Sequence, residues 1–433
     1  MTAREAALRT LVACEKQDAW ADGFLKKTLH DGGLDGRDAA LVTRLTFGVT
    51  QNRMLLDWYI DRFAKGKLDL TVRNALRLGA YQLLCLTRIP ARAAVDESVK
   101  LTRKFCKNPG AAGLVNAVLR NIERNKNEIT PPEDLSVRYS HPQWLVDLFL
   151  ERLGQEETRA LLEHHNGEVP TMAQINTCRT TCEQALEVLK QAGVEAESHP
   201  WLKDCLTLQG TGSLEQLEQF KQGWFYIQDA AAKLAVLAAD PKPGMKVLDV
   251  CAAPGGKSFA AAVAMENEGE IISCDIHPHK QTLIEHGAQR LGLTCIRAVT
   301  QNGKEHVPEW ANAFDVVITD VPCSGLGIIR KKPDIRYKDP KPLDGLPAIQ
   351  KAILDNACTY VKPGDVLLYS TCTLLERENE AIVRQFVNEH PDFVLEKLEL
   401  PGPVGMVEKG FVTLWPHLHQ TDGFFIAKLR RNP

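Results

Sequence analysis

VLDVCAAPGGKS, residues 247–258, passes from an apolar run through a glycine turn into a helix start. That order opens a strand–turn–helix unit. In doubly wound sheets the ligand lies beyond the carboxyl ends of the strands. Gly255 and Gly256 permit close backbone approach, and a helix N-terminus offers free N–H groups. About twenty residues on, Asp275 closes a second apolar run, EIISCD, where a carboxylate suits the two hydroxyls of a ribose. By itself the pattern fits a dinucleotide or S-adenosylmethionine. The turn is not G-x-G-x-x-G, which counts against NAD, and no Walker loop is present, which counts against a nucleoside triphosphatase. A plain tight connection is the bland reading, weakened by the placement of Asp275.

Outward from this turn, apolar runs alternate with amphipathic stretches to the C-terminus. TCIRAV, FDVVITDVP and DVLLYSTCT read as further strands separated by helices, as expected of a parallel sheet covered on both faces. The tail FVTLWPHLHQTDGFFIAKL reads as late strands, antiparallel to the rest. Before the turn, TMAQINT, CLTLQG and GWFYIQD read as strands around the helices TCEQALEVLKQAG and SLEQLEQF, the second opened by an N-cap Ser213. That order predicts a small split-βαβ module. Residues 1–125 show only helical spacing, punctuated by DGGLDG, Pro90 and KNPG. The expected organisation is an all-α bundle over 1–127, a helical linker over 128–166, a small α/β module over 167–235 and a Rossmann-like α/β domain over 236–433.

Of 433 residues, 44% are apolar and 25% charged, an ordinary globular composition. No apolar run reaches membrane-spanning length, and MTAREAALRT lacks a secretory core, so a cytoplasmic location is expected, with no membrane partner. The net charge of −3 hides an asymmetry: residues 1–125 carry 21 Lys+Arg against 13 Asp+Glu. A basic helical domain on an acidic remainder suggests an anionic partner, with a solvated helix surface as the bland alternative. The twelve cysteines are scattered without a Cys-x-x-Cys, and no four-ligand zinc spacing is visible. His277/His279 and His417/His419 lack a third ligand, so no metal is expected.

Two cysteines have a special setting. Cys323 follows the fourth strand of the C-terminal domain in TDVPCSG, and Cys372 follows the fifth in YSTCT. Both stand at carboxyl ends of strands, and adjacent strands lie about 4.8 Å apart, so the two tips can share one pocket. Cys372 also precedes ERENEAIVRQF, read as a helix whose N-terminus would favour a thiolate. The chemistry suggested is covalent. Carbon-5 of a pyrimidine is too weak a nucleophile to take a methyl group directly. A thiolate added at carbon-6 turns the ring into an enamine. Asp320, if protonated, is placed to donate to ring nitrogen 3 or the exocyclic amine. The carbon-5 proton must then leave and the thiol be expelled, with a second group assisting. Such a base must be single-stranded, looped or flipped out.

DVCAAPGGK, DVPCSG, YSTCT and the terminal DGFF together resemble the RNA 5-methylcytosine methyltransferases of the NOL1/NOP2/Sun group. The resemblance implies that Cys372 is the nucleophile and that Cys323 aids product release. It implies that Cys251, Ala252, Ala253, Pro254, Gly255, Gly256 and Lys257, with Asp275, hold S-adenosylmethionine. Asp320 would touch cofactor and target base, with Lys257 lining the same site. LGAYQLLCLTRIPARAAVDESVKL and GLVNAVLRNI are similar to the NusB family of RNA-binding helical domains. That fusion implies a cytosine of small-subunit (16S) ribosomal RNA as substrate, with no obligate protein partner. Two departures stand out. TQNGKE places Asn302 where relatives often carry an Asp that contacts the adenine amine, a bond its amide oxygen can also accept. Gln174 precedes Asn176 where relatives often have an Arg. IIRKKPDIRY offers Arg330, Lys331 and Lys332 as phosphate contacts. A nicotinamide oxidoreductase lacks its glycine fingerprint here. A non-enzymatic NusB-type RNA-binding or transcription factor would not need Cys372, Asp320 and the glycine turn intact.

Overall fold

The computed structural model describes residues 1–17, 20–34 and 36–433. The chain divides into two compact units, Met1–Glu168 with Ile329–Lys338, and Val169–Ile328 with Asp339–Pro433.

The first unit is helical, without a strand among the described residues. Leu70–Cys85 is its central helix, capped by Asp69, whose side chain accepts from the Thr71 N–H, and buried over most of its surface. Ala91–Phe105 buries Ala94, Val95, Ser98, Leu101 and Thr102, the spacing of one helical face. The long helical stretch expected from residue 36 divides at Asn52 into Gly36–Gln51 and Arg53–Asp61. Asn52 donates back to the Gly48 carbonyl at 2.9 Å, a side-chain bond that competes with helix continuation.

Ile329–Lys338 belongs with these helices although it follows the fourth strand of the C-terminal domain in sequence. Arg336 is fully buried there. Its Nη1 donates to Asn166 Oδ1 at 2.9 Å and to the Ser140 carbonyl at 3.2 Å. Asp334 accepts from the Ala21 N–H at 3.0 Å, and the Tyr337 hydroxyl donates to the Ser140 carbonyl at 2.9 Å. The expected basic loop is therefore not a free one. Arg330 is buried, Lys331 half-buried and Lys332 exposed.

The second unit opens with a four-stranded antiparallel sheet. Its strands are β1 (Thr171–Ile175), β2 (Glu195–Ser198), β3 (Cys205–Gln209) and β4 (Phe225–Ile227), ordered β2-β3-β1-β4. The sequence predicts only three of them. The fourth, β2, is an edge strand of sequence EAES with only Ala196 buried, too polar to read as a strand alone. Its helix, Cys182–Gln191, starts on a capping box between Thr181 and Gln184. Residues 213–220 form two short turns instead of one helix, and Ser213 makes no side-chain cap bond. Asn176 donates to the carbonyls of Gly223 and Leu291, both at 2.9 Å. Gln174 donates to the Gln228 carbonyl at 3.1 Å. These buried amides fasten the small sheet to its neighbours, which accounts for Asn176 without a bound base.

The main sheet contains β5 (Lys246–Asp249), β6 (Glu270–Asp275), β7 (Ile296–Thr300), β8 (Phe314–Asp320), β9 (Val361–Thr371) and β10 (Phe393–Leu395). After a two-stranded ribbon of β11 (Leu398–Leu400) and β12 (Gly405–Val407) come β13 (Phe411–Leu414) and β14 (Phe424–Arg431). The order is β10-β14-β9-β8-β5-β6-β7, with β13 also on β14. β5 to β9 run parallel, and β14 pairs antiparallel with β9, as the tail suggested. Successive residues alternate between two cores. Val247, Ile271, Val316 and Leu368 pack against helices Ala230–Ala239 and Gly256–Ala264. Leu248, Ile272, Val317 and Leu367 pack against Leu346–Ala357 and Glu380–Glu389. This is the double coverage that the near-continuous apolar runs predict. The chain leaves β5 toward β6 and β7, then returns to the other side for β8 and β9. The carboxyl ends of β5 and β8 therefore flank the switch point where ligands bind in such sheets.

Candidate active site

Four of the expected side chains converge at this switch point. Lys257, in the first turn of the helix after β5, reaches across to Asp320 at the end of β8, with Nζ 2.6 Å from Oδ2. The other carboxylate oxygen of Asp320 accepts from Ser370 Oγ at 2.9 Å, and Ser370 is its register partner on β9. Cys323 and Cys372 lie just past the same two strands, and their sulfurs are 3.2 Å apart. Lys257 Nζ also lies 5.0 Å from the centre of the Phe424 ring, in the terminal DGFF segment.

The hydrogen bond with Cys372, then burial, then the negative charges nearby hold the Cys323 thiol well above its ordinary pKa. Cys323 is thereby held toward its protonated form, within hydrogen-bond reach of Cys372. Burial pulls the Lys257 ammonium down, but the charge and hydrogen bond of Asp320, with Asp249 behind it, leave it net raised and protonated. Both oxygens of Asp320 therefore act as acceptors. The donor beside it is Lys257.

The glycine turn is tightly built. Gly255 has φ +107, and a Cβ there would lie 2.5 Å from the Phe259 ring. Ala252 N donates to the Cys274 carbonyl, and Gly255 N donates to the Ala252 carbonyl, both at 2.7 Å. Cys251 is half-buried, and burial pushes its thiol up, away from reactivity. Asp275 is buried at the end of β6, accepting from the His277 N–H at 3.0 Å, with Lys280 Nζ at 3.5 Å. Asn302 is not gathered with the thiols. It follows β7, its Oδ1 accepts from the Lys304 N–H at 3.2 Å, and its Nδ2 donates to Glu305 at 2.9 Å.

Sequence reasoning missed three buried polar residues. Asp249, at the end of β5, is fully buried and accepts from Ser258 at 2.7 Å. Burial, set against the Ser258 bond and Lys257, pushes its carboxyl up to about 7. Glu378 and Asn379 are fully buried beside the thiols. The sequence reads them as part of the helix after Cys372, but that helix begins at Glu380. Cys372 is therefore separated from the helix N-terminus by the loop that carries these two residues, and no helix dipole acts on it directly. The available signal was an Asn between two glutamates just after Thr-Cys-Thr. Among the described residues no cluster of His, Cys, Asp or Glu could hold a metal ion, and no helix is long and apolar enough to cross a membrane.

A Rossmann-like sheet, a glycine turn at its switch point and a small antiparallel module define a class of nucleic-acid methyltransferase, and comparison with known proteins agrees. Residues 236–430 match the family described as 16S rRNA methyltransferase RsmB/F. Residues 1–124 match the NusB family, and residues 141–215 the ferredoxin-like domain of Methyltr_RsmF/B-like proteins. The chain is 36% identical to the probable ribosomal RNA small subunit methyltransferase B of Bacillus subtilis, over 99% of this chain and 98% of that one. It is 34% identical to the protein of the same description from Synechocystis, over the whole of both chains. A solved methyltransferase homologue from Pyrococcus horikoshii aligns with a TM-score of 0.60 at 28% identity, over 69% of this chain and 98% of that one. The chain belongs to the ribosomal RNA small subunit methyltransferase B family, and it is an rRNA methyltransferase.

Proposed function

We propose that this enzyme methylates carbon-5 of a specific cytosine in 16S ribosomal RNA, using S-adenosylmethionine, through a covalent adduct between Cys372 and carbon-6. The observation that carries the reading is the pair of thiols 3.2 Å apart at the tips of β8 and β9. The Cys251–Lys257 turn and Asp275 would hold the cofactor. The fully buried Asp249 carboxyl beside that turn fits a polar-lined cofactor site. Bound there, S-adenosylmethionine supplies the methyl group.

Cys372 attacks carbon-6 as a thiolate. The new S–C bond pushes the ring electron pair to carbon-5, making that atom nucleophilic. Lys257, held by Asp320, offers a buried donor aimed at charge that develops on the ring. After carbon-5 has gained the methyl group, its proton passes to water. The freed pair re-forms the ring double bond and expels Cys372. Cys323 lies at hydrogen-bond distance from the departing sulfur and assists this step.

Cys323→Ala should accumulate a protein–RNA adduct that survives denaturation, and Cys372→Ala should form none. Gel analysis of each variant with 16S transcript and S-adenosylmethionine checks this. The opposite pattern would exchange the two roles.

A further inference from the structure

Glu378 and Asn379 are neighbours in sequence, and each holds a different cysteine turn. Glu378 Oε2 accepts from the Ser324 N–H, the residue after Cys323, at 3.0 Å. The same oxygen accepts from Gln350 Nε2 at 2.7 Å, and Gln350 Nε2 also donates to the Pro322 carbonyl, the residue before Cys323, at 3.0 Å. Asn379 holds the other turn on both sides. Its Oδ1 accepts from Thr371 Oγ1 at 2.6 Å, and its Nδ2 donates to the Thr373 carbonyl at 3.0 Å. Thr371 and Thr373 flank Cys372. Glu378, Asn379 and Gln350 are all fully buried.

The carboxylate is an expensive choice for a merely structural bond. Glu378 has no cationic partner among the described ion pairs, and its Oε1 is buried without a hydrogen-bond partner. A carboxyl group taken out of water in this way is kept where it serves the site. Its negative charge is one of the influences that keep the Cys323 thiol protonated.

We infer that Glu378 and Asn379 form a two-headed clamp, Glu378 positioning Cys323 for product release and Asn379 positioning Cys372 for attack. Neither touches the substrate, and both act through the cysteine turns. The inference rests on the thiol roles proposed above and adds that two adjacent residues control separate steps.

The test is adduct trapping with unmodified 16S transcript and S-adenosylmethionine, run beside Cys323→Ala. Glu378→Ala should accumulate denaturation-resistant adduct as Cys323→Ala does, with turnover at least ~10-fold down, because misplacement of about 1 Å can cost ~100-fold. Glu378→Gln retains an acceptor for the Ser324 N–H and should recover release relative to Glu378→Ala. Asn379→Ala should form adduct at least ~10-fold more slowly and accumulate none. Thermal melting identifies any variant that fails to fold. If Glu378→Ala is one of them, Gln350→Ala, which frees the Pro322 carbonyl, carries the same expectation. Should Cys323→Ala trap adduct while neither Glu378→Ala nor Gln350→Ala does, the clamp is wrong and the thiol roles stand. Equal loss of adduct in Glu378→Ala and Asn379→Ala also overturns the separate roles. If Cys323→Ala traps nothing, the thiol roles fail, and the clamp with them.

Discussion

Asp249 shows how one residue can carry both a function and a cost. Its carboxyl lies near 4 in an unfolded chain and is pushed up to about 7 in the fold, with burial the main cause. A raised carboxyl binds its proton more tightly in the folded state. Its stabilising share is therefore complete below about pH 4 and is lost as pH rises through about 7, at a limiting slope of ~1.4 kcal/mol per pH unit. Asp249→Asn keeps the shape and removes the titration. Urea midpoints between pH 5 and 7.5 should fall less steeply for the variant than for the native protein. An unchanged slope would place the titration elsewhere. The sequence showed Asp249 only as part of the run VLDV and said nothing of its burial. A carboxylate is exposed by default, and only packing on both sides overrides that default.

Close approaches of glycine between distant elements support the site. Gly327 lies just past Cys323, and Gly423 opens the segment that leads into β14. A Cβ on Gly327 would fall 1.8 Å from the Gly423 carbonyl oxygen and 2.8 Å from that of Cys372. The backbones are tied together: Gly327 N donates to the Cys372 carbonyl at 2.9 Å, and Gly423 N donates to the Gly327 carbonyl at 2.8 Å. The DGFF segment thus braces both cysteine loops. Gly327→Ala should force them apart, costing about 1–3 kcal/mol by overpacking, and should slow adduct formation. Thermal melting and single-turnover trapping read the two effects separately. The strands, their parallel order and the antiparallel return of β14 were legible in the sequence, because periodicity is a local property. The edge strand β2 was not, since EAES has a strand's alternation but little apolar content.

For the whole molecule, the two units share chain in an unexpected way, with residues 329–338 built into the helical unit. Arg336 anchors that segment. Burial pulls its guanidinium down to about 10, and Asn166 and the Ser140 carbonyl accept from it. Arg336→Met should cost about 3 kcal/mol through the orphaned acceptors and open the segment to trypsin at Arg330, Lys331 and Lys332. Mass spectrometry of early fragments checks this, and a protease resistance equal to that of the native protein would show that the anchor lies elsewhere. Removing residues 1–125 would also take away Ala21, the partner of Asp334 in the same segment, so charge reversal is the cleaner probe of RNA binding. Arg92 and Lys100 lie on the helix Ala91–Phe105 with side chains 86% and 70% exposed. Reversing both to Glu should weaken RNA binding and lower the salt slope by ~1 for each phosphate that is no longer neutralised. Filter binding across a salt series measures both, and an unchanged slope would move the RNA-binding surface off this helix.

By itself the sequence determined which polar residues stand at the strand tips and most of the order of strands and helices. Cys323, Cys372, Lys257, Asp320 and the glycine turn were legible because each sits at a boundary between an apolar run and a breaker, a signal only a few residues wide. The tertiary structure alone decided the 3.2 Å spacing of the thiols, the burial of Asp249, Glu378 and Asn379, and the place of Arg336. Those depend on segments far apart in the chain closing around a polar group. No local pattern records whether water will be excluded there, so a buried charge reads in sequence like any solvated one.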